Sequence, residues 1–147
     1  LNHLMLADFR IDSYFTLVYG LADAVTGEVR LVQAGHPHPV ILRRDGSTEK
    51  VGRGGMPVGL IENASYEETR LTLAPGDRLL VVSDGISEAT DPAGVELGNR
   101  GLRNLMSEAA PLRGAGFLER LCRRVIERSG NRQDDDISAL FLERGEG

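Results

Sequence analysis

Cysteine is almost missing from this chain. The single residue, Cys122, cannot form an intrachain disulfide and leaves no thiolate set for a metal cluster, a usage that fits a reducing cytoplasm. No apolar run approaches the roughly 18 residues that cross a bilayer, and no signal-peptide pattern opens the chain. Basic residues are in deficit. Lys and Arg number 17 against 22 Asp and Glu, a net charge of −5. That balance works against non-specific nucleic-acid binding, which displaces counterions with surplus Lys and Arg. Ser83 is not set in a Gly-x-Ser-x-Gly elbow, so nucleophilic serine chemistry has no support. Internal repeats, low-complexity stretches and interdomain linkers are also lacking. The chain opens Leu1-Asn2-His3-Leu4 with no initiator Met, from which a piece of a longer protein is expected.

What is present suits a globular fold. The 147 residues are 41% hydrophobic and 27% charged, enough for one domain over 1–147 with a core of its own. Leu1, Leu4 and Met5 recur at helical spacing and predict a helix ending there. Phe15 to Leu21 and Glu28 to Ala34 read as a hairpin turned at Ala24-Val25-Thr26-Gly27. The two prolines of Gly35-His36-Pro37-His38-Pro39 make it a rigid connection. Val40 to Arg43 and Glu49 to Val51 read as short strands around Asp45-Gly46. A glycine-rich loop from Arg53 to Leu60 follows, then strands from Tyr66 to Leu73 and from Arg78 to Val82. Leu102, Leu105 and Met106 mark one helix. Phe117, Leu118, Leu121, Cys122, Val125 and Ile126 mark a longer one, capped by Gly130. Ile137 to Leu142 closes the chain as a near-continuous apolar strand.

Chemistry gathers at two strand ends. Leu79-Leu80-Val81-Val82 is apolar on both faces, as in a fully covered sheet, and runs straight into Ser83-Asp84-Gly85. Asp134-Asp135-Asp136 leads directly into Ile137. A six-residue strand spans about 20 Å, so parallel strands would hold these carboxylates at opposite ends of the sheet. Antiparallel neighbours, about 4.8 Å apart, would bring them together. Carboxylates gathered in this way either rise in pKa or take up a divalent cation, and oxygen-only ligands favour Mg²⁺ or Mn²⁺. Gly85 would let the backbone approach such an ion closely. The plainer alternative is an ordinary Asp-Gly turn and a solvated acidic loop.

Smaller features divide in the same way. His36 and His38 read as loop-bracing side chains or as ligands. Arg53-Gly54-Gly55 reads as a plain loop beside a substrate groove or as a phosphate cradle, although it lacks the lysine and helix of a P-loop. Cys122 falls on the apolar stripe of its helix. Arg120, Arg123, Arg124 and Arg128 read as that helix's solvated face or as a docking surface for an acidic partner.

The ordered set is more specific than any part of it. Phe15-Thr16-Leu17-Val18-Tyr19-Gly20, Thr26-Gly27, Ala34-Gly35-His36-Pro37 and Gly55-Met56-Pro57-Val58-Gly59 come first. Pro75-Gly76-Asp77, Ser83-Asp84-Gly85-Ile86-Ser87-Glu88-Ala89, Leu97-Gly98 and Asp135-Asp136-Ile137-Ser138 follow. From about Phe15 to Leu142 this series resembles the C-terminal portion of the bacterial metal-dependent type 2C protein Ser/Thr phosphatases, the branch of stage II sporulation protein E and the sigma-factor regulatory phosphatases.

The resemblance implies an α+β fold, an antiparallel β-sandwich flanked by helices, here a partial domain lacking its N-terminal strands. It implies a centre of two Mn²⁺ or Mg²⁺ ions. Asp84 and Asp135 match metal-ligand positions and act catalytically through the metal. Asp136 stands at the neighbouring position, and Gly85 and His36 are supporting residues. The family's other metal motifs, Gly-Asp-x-x-Asp and Asp-x-x-Gly-His-Gly, do not occur, and Asp8 and Asp12 lack the matching glycines and take no such role. About half of a binuclear centre is therefore expected. The implied activity is metal-dependent hydrolysis of phosphoserine or phosphothreonine on a partner protein, such as an anti-sigma-factor antagonist, by a cytoplasmic output domain of a response regulator. A catalytically degenerate adaptor is the alternative. Self-association through exposed edge strands is a further expectation, and neither a nucleic acid nor a membrane is an expected partner.

Overall fold

The structure is a computed structural model that describes residues 1–8, 14–132 and 135–145. In chain order its elements are α1 (Asn2–Asp8), β1 (Leu17–Ala22), β2 (Glu28–Ala34), β3 (Val40–Leu42), β4 (Thr48–Lys50), β5 (Glu68–Thr72) and β6 (Arg78–Val82). They continue with α2 (Asp84–Ser87), α3 (Gly98–Ala109), α4 (Ala115–Arg128) and β7 (Ala139–Glu143). Most helices and strands fall near where the sequence predicts them, but α2 stands where only an Asp-Gly turn or strand end is expected. Among the described residues no helix is long and apolar enough to cross a membrane. The chain divides into two compact units, Leu1–His38 with Val51–Thr72, and Pro39–Lys50 with Leu73–Gly147.

The first unit is built on an antiparallel sheet in the order β1-β2-β5. The turn predicted at Thr26-Gly27 joins β1 to β2, and Gly27 supplies the positive φ of 77°. Gln33, in β2, is 1% exposed although polar. Its amide is satisfied on both sides, because Nε2 donates to the His36 carbonyl and Oε1 accepts from the Gly54 amide at 2.9 Å. Backbone bonding from Gly35 N to Gly55 O completes the clamp on the glycine-rich loop. Asn2 of α1 reaches the same loop, accepting from Gly59 N at 2.7 Å and donating to Ile61 O at 2.9 Å.

The second unit carries a four-stranded antiparallel sheet in the order β4-β3-β6-β7. β6 lies inside it, paired on both edges, and four of its five residues are buried. Val40, Leu42, Leu80 and Val82 pack into one core with Leu102 and Met106 of α3 and Phe117, Leu121 and Val125 of α4. Each such side chain contributes about 1.5–3 kcal/mol when fully buried. Phe141 of β7 joins them, its ring centroid 5.6 Å from that of Phe117. α4 ends as its glycine predicts: Gly130 takes a φ of 66°, and the Asn131 amide bonds back to the Ile126 carbonyl.

β7 differs from the near-continuous apolar strand expected over Ile137 to Leu142. It begins at Ala139 and alternates, with Leu140 and Leu142 70% and 41% exposed. The reason is positional. β7 is an edge of this sheet, and only its Ala139–Phe141 face packs on the helical core.

Asp77, which reads as a turn residue, is 3% exposed. Its carboxylate accepts from the Arg43 guanidinium at 2.8 Å and from the Arg44 and Ala74 amides at 2.9 Å. Burial alone would raise this carboxyl, but those hydrogen bonds and the Arg43 charge outweigh it and hold the group below its ordinary 3.8. A carboxylate depressed in the fold adds stability that is present above the unfolded-chain value and disappears as pH falls through the folded one. The melting-temperature gap between the wild type and Asp77→Asn should therefore narrow on acidification below about pH 4. A gap independent of pH in thermal melts would refute this account of Asp77.

Candidate functional site

The site grows from the pairing of β6 with β7. They run antiparallel, with Leu80 opposite Phe141 and Val82 opposite Ala139. The end of one therefore meets the start of the other, the arrangement in which the two acidic segments converge. Hydrogen bonding continues beyond the strands. Ser83 N donates to Ser138 O at 2.9 Å, Ser138 N donates to Ser83 Oγ at 3.0 Å, and Ser83 Oγ donates to Asp136 O at 3.1 Å. Ser83 occupies the N-cap position of α2, yet its side chain does not cap that helix. It latches the Asp135–Asp136 segment instead.

Gly85 makes the close approach possible. A Cβ at this position would collide with the Asp136 carbonyl oxygen and lie 3.0 Å from its carbon and 3.5 Å from the carbonyl carbon of Asp135. Any larger residue would push the two segments apart. This is a backbone contact, visible only once the strands are paired.

Asp84 and Asp135 are both exposed. Each accepts one hydrogen bond from the next amide in the chain: Gly85 N to Asp84 Oδ1 at 3.0 Å, and Asp136 N to Asp135 Oδ1 at 2.7 Å. Among the described residues, no Lys or Arg forms an ion pair with either of them. The site thus offers two carboxylates on adjoining segments, a donor type that suits a hard divalent cation. Among the described residues no group of three or more His, Cys, Asp or Glu side chains could hold an ion. Two carboxylates by themselves are compatible in donor chemistry with part of a metal centre and fall short of a complete one.

His36 belongs to the first unit, where its Nδ1 lies 3.2 Å from Thr16 Oγ1. Asp12 and Asp134 fall outside the described residues. Sequence reasoning missed the Ser83 latch, because Ser-Asp-Gly after a strand looks like any turn. It also missed a cavity of about 260 Å³ in the second unit, to which Gly85 and Asp135 contribute part of the lining.

The chain matches the Stage II sporulation protein E (SpoIIE) family over residues 1–145. It belongs to that family. Similar proteins include Protein IcfG of Synechocystis, 25% identical over 132 residues, covering 89% of this chain and 21% of that protein. Phosphoserine phosphatase RsbP of Bacillus subtilis is 28% identical over 91 residues, covering 61% of this chain and 22% of that one. The chain thus spans about a fifth of the length of these curated relatives. Among solved structures, the PP2C phosphatase domain of SpoIIE from Bacillus subtilis superposes with a TM-score of 0.80 at 23% identity, over 98% of this chain and 42% of that one. A manganese-presoaked form of the SpoIIE phosphatase domain gives 0.76 at 20% identity, over 99% and 64%. The structural likeness is one of fold: two antiparallel sheets with helices, matching part of a type 2C phosphatase domain.

Proposed function

We propose that this SpoIIE-family chain serves, as one phosphatase-like domain, in metal-dependent hydrolysis of phosphoserine or phosphothreonine on a partner protein. In this reading the substrate is a small bacterial signalling protein, of the anti-sigma-factor-antagonist kind, and the chain is a cytoplasmic output domain of a response regulator. The observation that carries the reading is the β6–β7 register, extended by the Ser83 latch, which joins the Asp84 and Asp135 segments.

Asp84 and Asp135 would hold Mn²⁺ or Mg²⁺ through carboxylate oxygens, with two ions in a complete centre. A divalent cation bound there supplies a water of lowered pKa and neutralises phosphoryl oxygens. The chain's own part is positional. Ser83 fixes the spacing of the two segments, Gly85 removes the steric bar between them, and among the described residues no Lys or Arg pairs with the carboxylates. The Ser83 hydroxyl is committed to Asp136 and Ser138, which supports attack by water over attack by a serine nucleophile.

Phosphate release from a phosphoserine peptide tests this directly. Metal-stripped protein should be inactive, and added Mn²⁺ should restore turnover that EDTA abolishes. Equal turnover in EDTA would overturn the metal requirement. The degenerate-adaptor reading is favoured by one observation, the lack of a third ligand side chain among the described residues. It predicts partner binding that survives EDTA, without phosphate release.

A further inference from the structure

The cavity beside the acidic tips holds a cation that the site, as built so far, does not use. Its lining includes Gly85 and Asp135 on one side, Glu88 and Arg132 on its polar walls, and Val125 and Ile137 as apolar floor. At about 260 Å³ it falls just under the range of roughly 300–1,000 Å³ that accommodates whole small-molecule ligands. It suits a single substituted side chain.

Arg132 is carried into this lining by a left-handed turn. Gly130 and Asn131, directly after α4, both take positive φ, 66° and 60°. Asn tolerates that conformation better than any other residue with a side chain, and it suits the turn that ends a helix. Three backbone bonds hold the turn here: Gly130 N to Glu127 O, Asn131 N to Ile126 O and Arg132 N to Ser129 O.

Several arginines of this helical region are engaged. Arg124 pairs with Glu108 and Glu127, Arg128 with Asp91, and Arg78 and Arg113 with Glu143. Arg132 pairs with neither Glu88 nor Asp135, although all three line one cavity, and among the described residues nothing engages its guanidinium. A phosphoryl dianion held at the acidic tips by a cation still presents outward oxygens that need donors. A guanidinium fork next to them supplies such donors and matches phosphoryl oxygens bidentately.

We propose that Arg132 is a substrate-binding residue that receives the phosphoryl group in this cavity, beside Asp84 and Asp135. The assignment rests on the phosphatase reading above and deepens it. Arg132→Ala should raise the KM for a phosphoserine peptide and the inhibition constant for inorganic phosphate about ten- to a hundredfold, the scale of a lost charge-assisted hydrogen bond. Turnover of p-nitrophenyl phosphate should weaken in parallel, the melting temperature should hold, and Arg132→Lys should recover part of the loss. An unchanged phosphate inhibition constant would overturn the assignment. So would a loss seen with the peptide but not with p-nitrophenyl phosphate, which would mean that the guanidinium reads a flanking carboxylate. If the wild type turns over neither substrate, the phosphatase reading falls. Inorganic phosphate titrated into the Mn²⁺-loaded protein, followed by amide NMR, then decides Arg132 alone. Saturable shifts around Gly85 and Arg132 that vanish in Arg132→Ala support it, and their absence rejects it.

Discussion

Asp84→Asn is expected to lower Mn²⁺-dependent phosphate release by about a thousandfold, the scale of the several kcal/mol that a bound ion supplies to such a reaction. The substitution is nearly isosteric. The Asn amide oxygen can still accept from Gly85 N, and the exposed position carries no packing burden, so the fold should survive. Only the anionic ligand is lost. Asp135→Asn should behave alike, and the double substitution should cost little more than either single one, because residues that act as a unit are non-additive. A second readout needs no turnover. Mn²⁺ at a hundred times its dissociation constant should stabilise the wild type by about 2.7 kcal/mol, and this gain should shrink in Asp84→Asn. Undiminished turnover in the variant, or an unchanged Mn²⁺ stabilisation, would remove Asp84 from the centre.

The largest stability effect should come from the opposite end of β6. The Arg78 side chain is only 4% exposed. Its Nε donates to Glu143 Oε1 at 3.0 Å and its Nη1 to the Ala110 carbonyl at 3.1 Å, while the guanidinium lies 4.9 Å from the Phe117 ring centroid. It thereby ties the register partner on β7 to the α3–α4 connection and the aromatic core. For the Glu143 carboxyl, burial pushes upward, but the hydrogen bonds from Arg113 and Arg78 outweigh it and keep the group low. Arg78→Ala removes the guanidinium donor from Glu143 and from the Ala110 carbonyl and leaves a void over Phe117, and breaking a buried pair of this kind costs about 3–5 kcal/mol. Arg78→Met should cost less, since it refills the space. Urea unfolding measures both. A loss below about 1 kcal/mol for the alanine variant would place Arg78 with the weak surface pairs.

The β6–β7 pair was legible because its two ends are written in one grammar, an apolar strand meeting a run of carboxylates. The local pattern did not hold the pairing itself. Ser83 and Ser138 stand 55 residues apart, and no periodicity reports that distance. The same gap hid Gly85's clearance, which is set by the carbonyl of Asp136. Asp77 and Arg78 were taken for turn and strand-start residues, because burial of a charge depends on partners such as Arg43 and Glu143 from distant segments. β7 reads as a near-continuous apolar strand because three of its five residues are large and apolar, whereas its edge position leaves Leu140 and Leu142 outward. Arg132 carries no signal of its own in the sequence, because its place in one cavity lining with Asp135 depends on how the chain packs.

The Ser83 latch also has a bearing on synthesis. A ribosome emits Asp84 well before Asp135, and the strand that aligns the second carboxylate ends only at Glu143. A nascent chain interrupted after α4 would keep most of its apolar core but have no place to gather an ion, since long-range strand pairing comes late. Competence for chemistry would arrive in one step, with the last strand to zip, so incompletely translated copies would be silent instead of partly active.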